Sequence, residues 1–203
     1  MNEKKVIIYL KKDPKLKKII IQVGDYNIKI IKNYYQSLVE SIISQQLSGA
    51  ATDSIIKKFK KLYFYKFPKP SDVINTPYSK LRKTGLSKMK ILYIKDLSKK
   101  IELKELNFKK LIYQSDDKII ESLTKVKGIG RWTAEMFLIF SVGRLDVLPV
   151  GDLGLKKAIK NLYSLEMLPA EEEIKKIAES WKPYRTIATW YLWKSLQKFD
   201  AIG

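Results

Sequence analysis

Apolar residues recur at spacings of three and four along nearly the whole chain, separated by lysines, and this period predicts helices. Leu38, Val39, Ile42, Ile43 and Leu47 share one face of a helix expected to end near Ser48-Gly49. Ala51, Ile55, Ile56, Phe59, Leu62 and Tyr63 mark the next, which Pro68 and Pro70 should halt. Asp13-Pro14 reads as N-cap and first helical residue, with Gly24 as the stop. Thr76-Pro77 opens a helix that Gly85 closes, Ser87 caps one running towards Lys100, and Asp116 or Asp117 starts another through Leu123. After Gly128-Ile129-Gly130 the pattern resumes from Arg131 to Val142 and stops at Gly143. Pro149, Gly151 and Asp152 introduce a helix from Leu153 to Leu162, and two more run from about Pro169 to Trp181 and from Pro183 to Phe199. Only Val6 to Leu10 reads as strand. The expectation is an all-α chain of about ten helices.

Charge sharpens this picture. The 203 residues carry 40 Lys+Arg against 21 Asp+Glu, a formal net charge of +19, with arginine only at Arg82, Arg131, Arg144 and Arg185. Such an excess calls for an acidic partner, and nucleic acid fits a helical, lysine-rich chain better than a membrane face. Most of the lysines read as a solvated surface. With neither Cys nor His, the sequence excludes disulfides, zinc sites built on those ligands, iron–sulfur clusters and triads that need an imidazole. Chemistry must come from carboxylates, Lys, Tyr, hydroxyls or the backbone. Val6 to Leu10 is too short for a signal h-region, and Met136 to Phe140 is far below a membrane span. An intracellular, cytoplasmic, nucleoid-associated protein with no membrane partner is therefore expected.

One turn stands apart from the helical pattern. Around it the chain reads Leu-Thr-Lys-Val-Lys-Gly-Ile-Gly-Arg-Trp-Thr-Ala, residues 123–134. Two short helices meeting at Gly128-Ile129-Gly130 would leave the first amides of the second unpaired, at the positive end of its dipole. That arrangement suits a phosphate oxygen, and Lys125, Lys127 and Arg131 add charge around it. A bare Gly-x-Gly is more often an ordinary helix–helix turn; the basic flanks and the net charge shift the reading towards DNA.

The segment resembles the helix-hairpin-helix of the DNA glycosylase superfamily of that name, and within it the 3-methyladenine DNA glycosylase II branch. The likeness also rests on Ile42-Ile43-Ser44-Gln45-Gln46-Leu47-Ser48 with Ala50-Ala51, and on Gly85-Leu86-Ser87 followed by Lys90. Leu148-Pro149 with Asp152, and Trp181-Lys182-Pro183-Tyr184-Arg185, complete a set that occurs in the family's order over about residues 13–195. The resemblance implies two helical subdomains flanking an active-site cleft: residues 36–140, with the helix-hairpin-helix at about 117–142, and residues 1–35 plus 141–203.

It also implies roles. Asp152 matches the catalytic carboxylate, while its ordinary reading is the N-cap of the helix it precedes; the two are compatible, because a helix N-terminus favours negative charge. Trp132 stands where strand-cleaving relatives carry a Schiff-base lysine, which implies base excision without lyase activity. Trp132, Phe140, Ser141 and Trp193 match the base pocket, with Met136 where some relatives have an aromatic; Phe140 could equally be core. Gln45, Gln46 and Leu47 match the intercalating loop, with Gln46 first and Leu47 second as the plug, against a plain helix-end reading for both glutamines. Gly128, Ile129 and Gly130 join Lys125, Lys127 and Arg131 as phosphate contacts. Carbonyls of Lys125, Gly128 and Gly130 could hold Na+ or K+. No other cofactor is implied, and the expected partner is duplex DNA bound by a monomer. The competing readings are a lyase, a glycosylase for oxidised or mismatched bases, and a non-enzymatic DNA-binding protein.

Overall fold

The computed structural model describes residues 3–199 and contains helices and no strand among them. The chain packs as two compact units. One takes the residues up to Ile30 and those from Leu138 onwards, and the other takes Ile31–Phe137; the sequence reading places these borders at 36 and 140.

The first unit contains α1 (Glu3–Leu10), α2 (Pro14–Val23), and, from the C-terminal part of the chain, α11 (Leu153–Tyr163), α12 (Glu171–Ile177) and α13 (Arg185–Phe199). The strand expected at Val6 to Leu10 is helix α1. Val6 and Leu10, four residues apart, are buried while Ile8 is exposed, which is helical spacing rather than alternation. Its core joins those residues to Leu16, Ile19 and Ile20 of α2, Leu155 and Ile159 of α11, Ile174 of α12, and Ile187, Tyr191 and Leu192 of α13.

Asp13 ties this core together at its N-terminal edge. One carboxylate oxygen caps α2 through Lys15 N (2.9 Å) and Leu16 N (3.1 Å). The other accepts from Tyr163 Oη and Trp181 Nε1, both at 2.9 Å. Burial works against its charge, yet these donors hold its pKa below the ordinary 3.8. A folded-state pKa below the unfolded one contributes stability that is present at neutral pH and lost as pH falls through the folded value. Asp13→Asn, which keeps the cap, should therefore lower the urea midpoint at pH 7, and the gap to wild type should close as pH falls below 3.8. A pH-independent gap would contradict this assignment.

The second unit runs through α3 (Tyr34–Ser44), α4 (Gly49–Lys61), α5 (Pro70–Asn75), α6 (Tyr78–Lys83), α7 (Lys88–Glu102), α8 (Phe108–Leu111), α9 (Asp116–Thr124) and α10 (Arg131–Phe137). Helix α7 lies at its centre, packed on α3, α5 and α6. Helix α3 stops at Ser44, earlier than expected, because Gln46 adopts φ 57° and turns the chain; Leu47 leaves the apolar face and is exposed. Pro70 begins α5 instead of stopping α4, as proline does at a first helical position. The expected helix from Arg131 to Val142 divides into α10 and a π-helical turn at Leu138–Val142, and the border between the units falls at that junction.

Candidate DNA-binding and active site

The sequence-predicted residues fall into two groups, one in each unit. In the first unit, Asp152 is the N-cap of α11, its Oδ1 accepting from Leu155 N at 2.6 Å. The same oxygen accepts from Trp193 Nε1 of α13 at 2.7 Å. Trp193 in turn stacks on Phe140, with centroids 6.1 Å apart and planes 23° from parallel. Asp152, Phe140 and Trp193 thus form one half-buried cluster, and Ser141 lies buried next to it in sequence.

Trp193, expected as a pocket wall, is also a hydrogen-bond partner of the carboxylate, 41 residues away in sequence. Gly154 of α11 is a further member of this cluster. A Cβ there would sit 3.1 Å from Asp152 Oδ1 and 3.2 Å from the Trp193 ring. A glycine in the first turn of a helix, where it costs about 1 kcal/mol against alanine, is the signal that could have found it.

In the second unit, the turn between α9 and α10 has Gly128 at φ 79° with the Tyr93 ring of α7 packed where a Cβ would go. Gly130 has open space around its Cα. The Ile129 side chain is buried, so only its backbone faces the turn's surface. Lys125 pairs with Glu121 at 2.8 Å, an exposed ion pair that solvent weakens. Arg131 donates through Nε to the buried Glu135 at 3.0 Å, which fixes its guanidinium against α10. Trp132 is half exposed beside it, and Met136 half buried one turn on.

Helix α7 braces this surface from behind. Lys90 donates to the carbonyls of Ile43 (2.7 Å) and Gln45 (2.8 Å), closing the end of α3; burial pulls its pKa below the usual lysine value. Tyr93 backs Gly128, and Asp96 accepts from Lys127 N at 2.9 Å. Residues 90, 93 and 96 share one helical face, so one element holds both the Gln-Gln-Leu turn and the hairpin. Gln45 bridges the two directly, donating from Nε2 to Gly128 O at 2.8 Å. In this structure its side chain is a strut between the turn and the hairpin. Gln46 and Leu47 are the exposed members of the turn.

A consequence is measurable. Gln45→Ala should weaken binding to a duplex containing an abasic-site analogue by about tenfold, from one lost hydrogen bond and a loosened turn. Trp fluorescence and melting temperature should stay close to wild type. Unchanged affinity would remove the strut assignment.

Among the described residues no helix is long and apolar enough to cross a membrane, and no group of Asp and Glu side chains could hold a metal ion. The model for "HhH-GPD superfamily base excision DNA repair protein" matches residues 39–183. The chain is 40% identical over 163 residues to the alkylbase DNA glycosidase-like protein mag2 of Schizosaccharomyces pombe, covering 79% of this chain and 76% of that protein. Its structure resembles that of 3-methyladenine DNA glycosylase (Mag1) of S. pombe in complex with abasic DNA, with a TM-score of 0.85 at 34% identity over 95% of this chain and 97% of that one. It resembles equally a DNA-3-methyladenine glycosidase from Bacillus halodurans, with a TM-score of 0.86 at 38% identity over 99% and 92%. This chain belongs to the HhH-GPD superfamily of base excision DNA repair proteins.

Proposed function

We propose that the protein is a monofunctional DNA glycosylase that releases alkylated purines of the 3-methyladenine type from duplex DNA, with Asp152 as its catalytic carboxylate. The observation that carries this reading is the Asp152 cluster: one carboxylate oxygen oriented by a helix-terminal amide and by an indole N–H, with a stacked aromatic pair alongside. Hydrolysis of an N-glycosidic bond passes through an oxocarbenium-like sugar, which an adjacent carboxylate stabilises. The same group can orient or deprotonate the attacking water. An alkylated purine is already cationic and departs readily, so a chain without histidine can run this reaction without a strong general acid.

The hairpin grips the backbone in this account. Lys127 N and Ile129 N are used within the protein, so phosphate contacts fall to the turn at Gly128 and Gly130, the amides opening α10, and the Lys125, Lys127 and Arg131 side chains. Gln46 and Leu47 fill the gap left by the flipped base, and Phe140, Ser141 and Trp193, beside Asp152, keep the pocket roles that the resemblance implies. A monovalent cation fits the hairpin carbonyls. Gly128 O and Gly130 O each accept one hydrogen bond, from Gln45 and Ala134, and a carbonyl has a second lone pair for an ion. Such an ion would stiffen the turn; the reaction itself takes place at Asp152.

The absence of lyase activity follows from Trp132 at the position where a Schiff-base lysine would stand. The protein works as a monomer inside the cell. Duplexes carrying a methylated purine, hypoxanthine or 8-oxoguanine test the substrate class. Release of the methylated base is expected; release of 8-oxoguanine alone would overturn the assignment.

A further inference from the structure

A strongly basic concavity of the second unit plays no part in the site described so far. Lys58 and Lys61 in the last turn of α4, and Lys80 and Lys83 in the last turn of α6, line a cavity of about 440 Å3 over Leu62 and Thr84. Each pair is spaced i, i+3 and so presents both ammonium groups on one helix face. No acidic residue lines the cavity. None of the four lysines has a carboxylate partner among the described residues, whereas Lys60 pairs with Glu40, and elsewhere Lys125, Lys175 and Lys182 pair with glutamates on neighbouring turns.

Helix dipoles explain part of this. The C-terminal ends of α4 and α6 each favour a cation, but Lys60 and Arg82 stand in the same two last turns beside the four lysines. Four further like charges around one concavity repel one another. The arrangement therefore lowers its energy when an anion with several negative oxygens enters. A second concavity adjoins it, sharing Leu62 and Lys80, and adds Lys66 and Lys69 with the exposed Phe64, and one carboxylate, Asp72, which caps α5. Lysines interleaved with exposed aromatics are the composition of a nucleic-acid surface.

We infer that this concavity is a second phosphate-binding site, taking the backbone of duplex DNA that flanks the lesion. The inference rests on the glycosylase reading for its ligand. Helix α4 supplies the spacing: it begins at Ser48, beside the Gln-Gln-Leu turn, and Lys58 and Lys61 lie about 15–20 Å further along it at 1.5 Å per residue. At about 3.4 Å per base pair this is about five base pairs from the intercalating turn. The site lengthens the footprint without touching the chemistry.

The test uses duplexes of about 7 and about 25 base pairs with a central abasic-site analogue, so that the short one ends about three base pairs from the lesion, and a variant with Lys58, Lys61, Lys80 and Lys83 all replaced by alanine. Each phosphate contact contributes about 0.9 to the slope of log affinity against log salt. On the long duplex the variant should lose at least about 2 from that slope and bind at least about tenfold more weakly at moderate salt; on the short duplex both should match wild type. A control variant with Lys4, Lys11, Lys17 and Lys18 replaced loses the same charge elsewhere and should leave the length dependence intact. An equal loss on both duplexes, or equal losses in the two variants, would overturn the inference. Base release by the wild type from a short methylated duplex reports separately on the glycosylase reading, since that duplex does not reach the concavity.

Discussion

Asp152→Asn should abolish most base release and leave the protein folded and bound to DNA. Asparagine is as good an N-cap as aspartate, so its side-chain oxygen can still accept from Leu155 N and from Trp193 Nε1. What disappears is the negative charge that, as proposed above, stabilises the oxocarbenium-like sugar. The expected loss in single-turnover release is about 10²–10⁴-fold, the range for removing a positioned catalytic group, with affinity for an abasic duplex unchanged or higher. Asp152→Ala is a poorer experiment. It also removes the cap, at about 0.5–2 kcal/mol, and orphans the indole N–H. Retained activity in Asp152→Asn with normal melting would move the chemistry to another residue.

The two hairpin glycines should part company. Gly128→Ala combines a positive φ, costing about 1–2 kcal/mol, with a methyl placed into the Tyr93 ring, where overpacking costs about 1–3 kcal/mol more. Because Tyr93 shares a helical face with Lys90 and Asp96, the shift should disturb the hairpin and the Gln-Gln-Leu turn together. A fall in unfolding free energy of about 2–5 kcal/mol is expected, with loss of DNA binding. Gly130→Ala meets nothing within 4 Å. Its stability should match wild type, and any loss should appear in DNA affinity alone, through a methyl on the surface proposed to approach phosphate. Equal destabilisation by both substitutions, read from denaturant midpoints, would contradict this division.

From sequence these two glycines are equivalent, since both merely interrupt a helical period. Tyr93 lies 35 residues before Gly128, and only packing shows which glycine it backs. The same holds across the site. Asp152 was legible as both N-cap and acid because both readings depend on local position, and the structure shows the cap. Its bond to Trp193 spans 41 residues and the Gln45 bond to Gly128 spans 83; no local pattern encodes either. Local signals placed the caps at Asp13 and Ser87. They failed where a rule had two outcomes. Pro70 could end one helix or begin another, and Val6 to Leu10 is too short to separate period 2 from period 3.6. Leu47 matched the α3 face in spacing, but φ 57° at Gln46 takes it out of the helix, and it is this break that leaves the turn exposed.

The measurement that bears most directly on the whole account is release of a methylated purine from duplex DNA by wild type and Asp152→Asn, with strand breaks scored before and after alkali. Wild type alone should release free methylated base, with breaks that appear only after alkali. Breaks without alkali would show a lyase acting through another amine, despite Trp132, and equal release by both proteins would remove Asp152 from the chemistry.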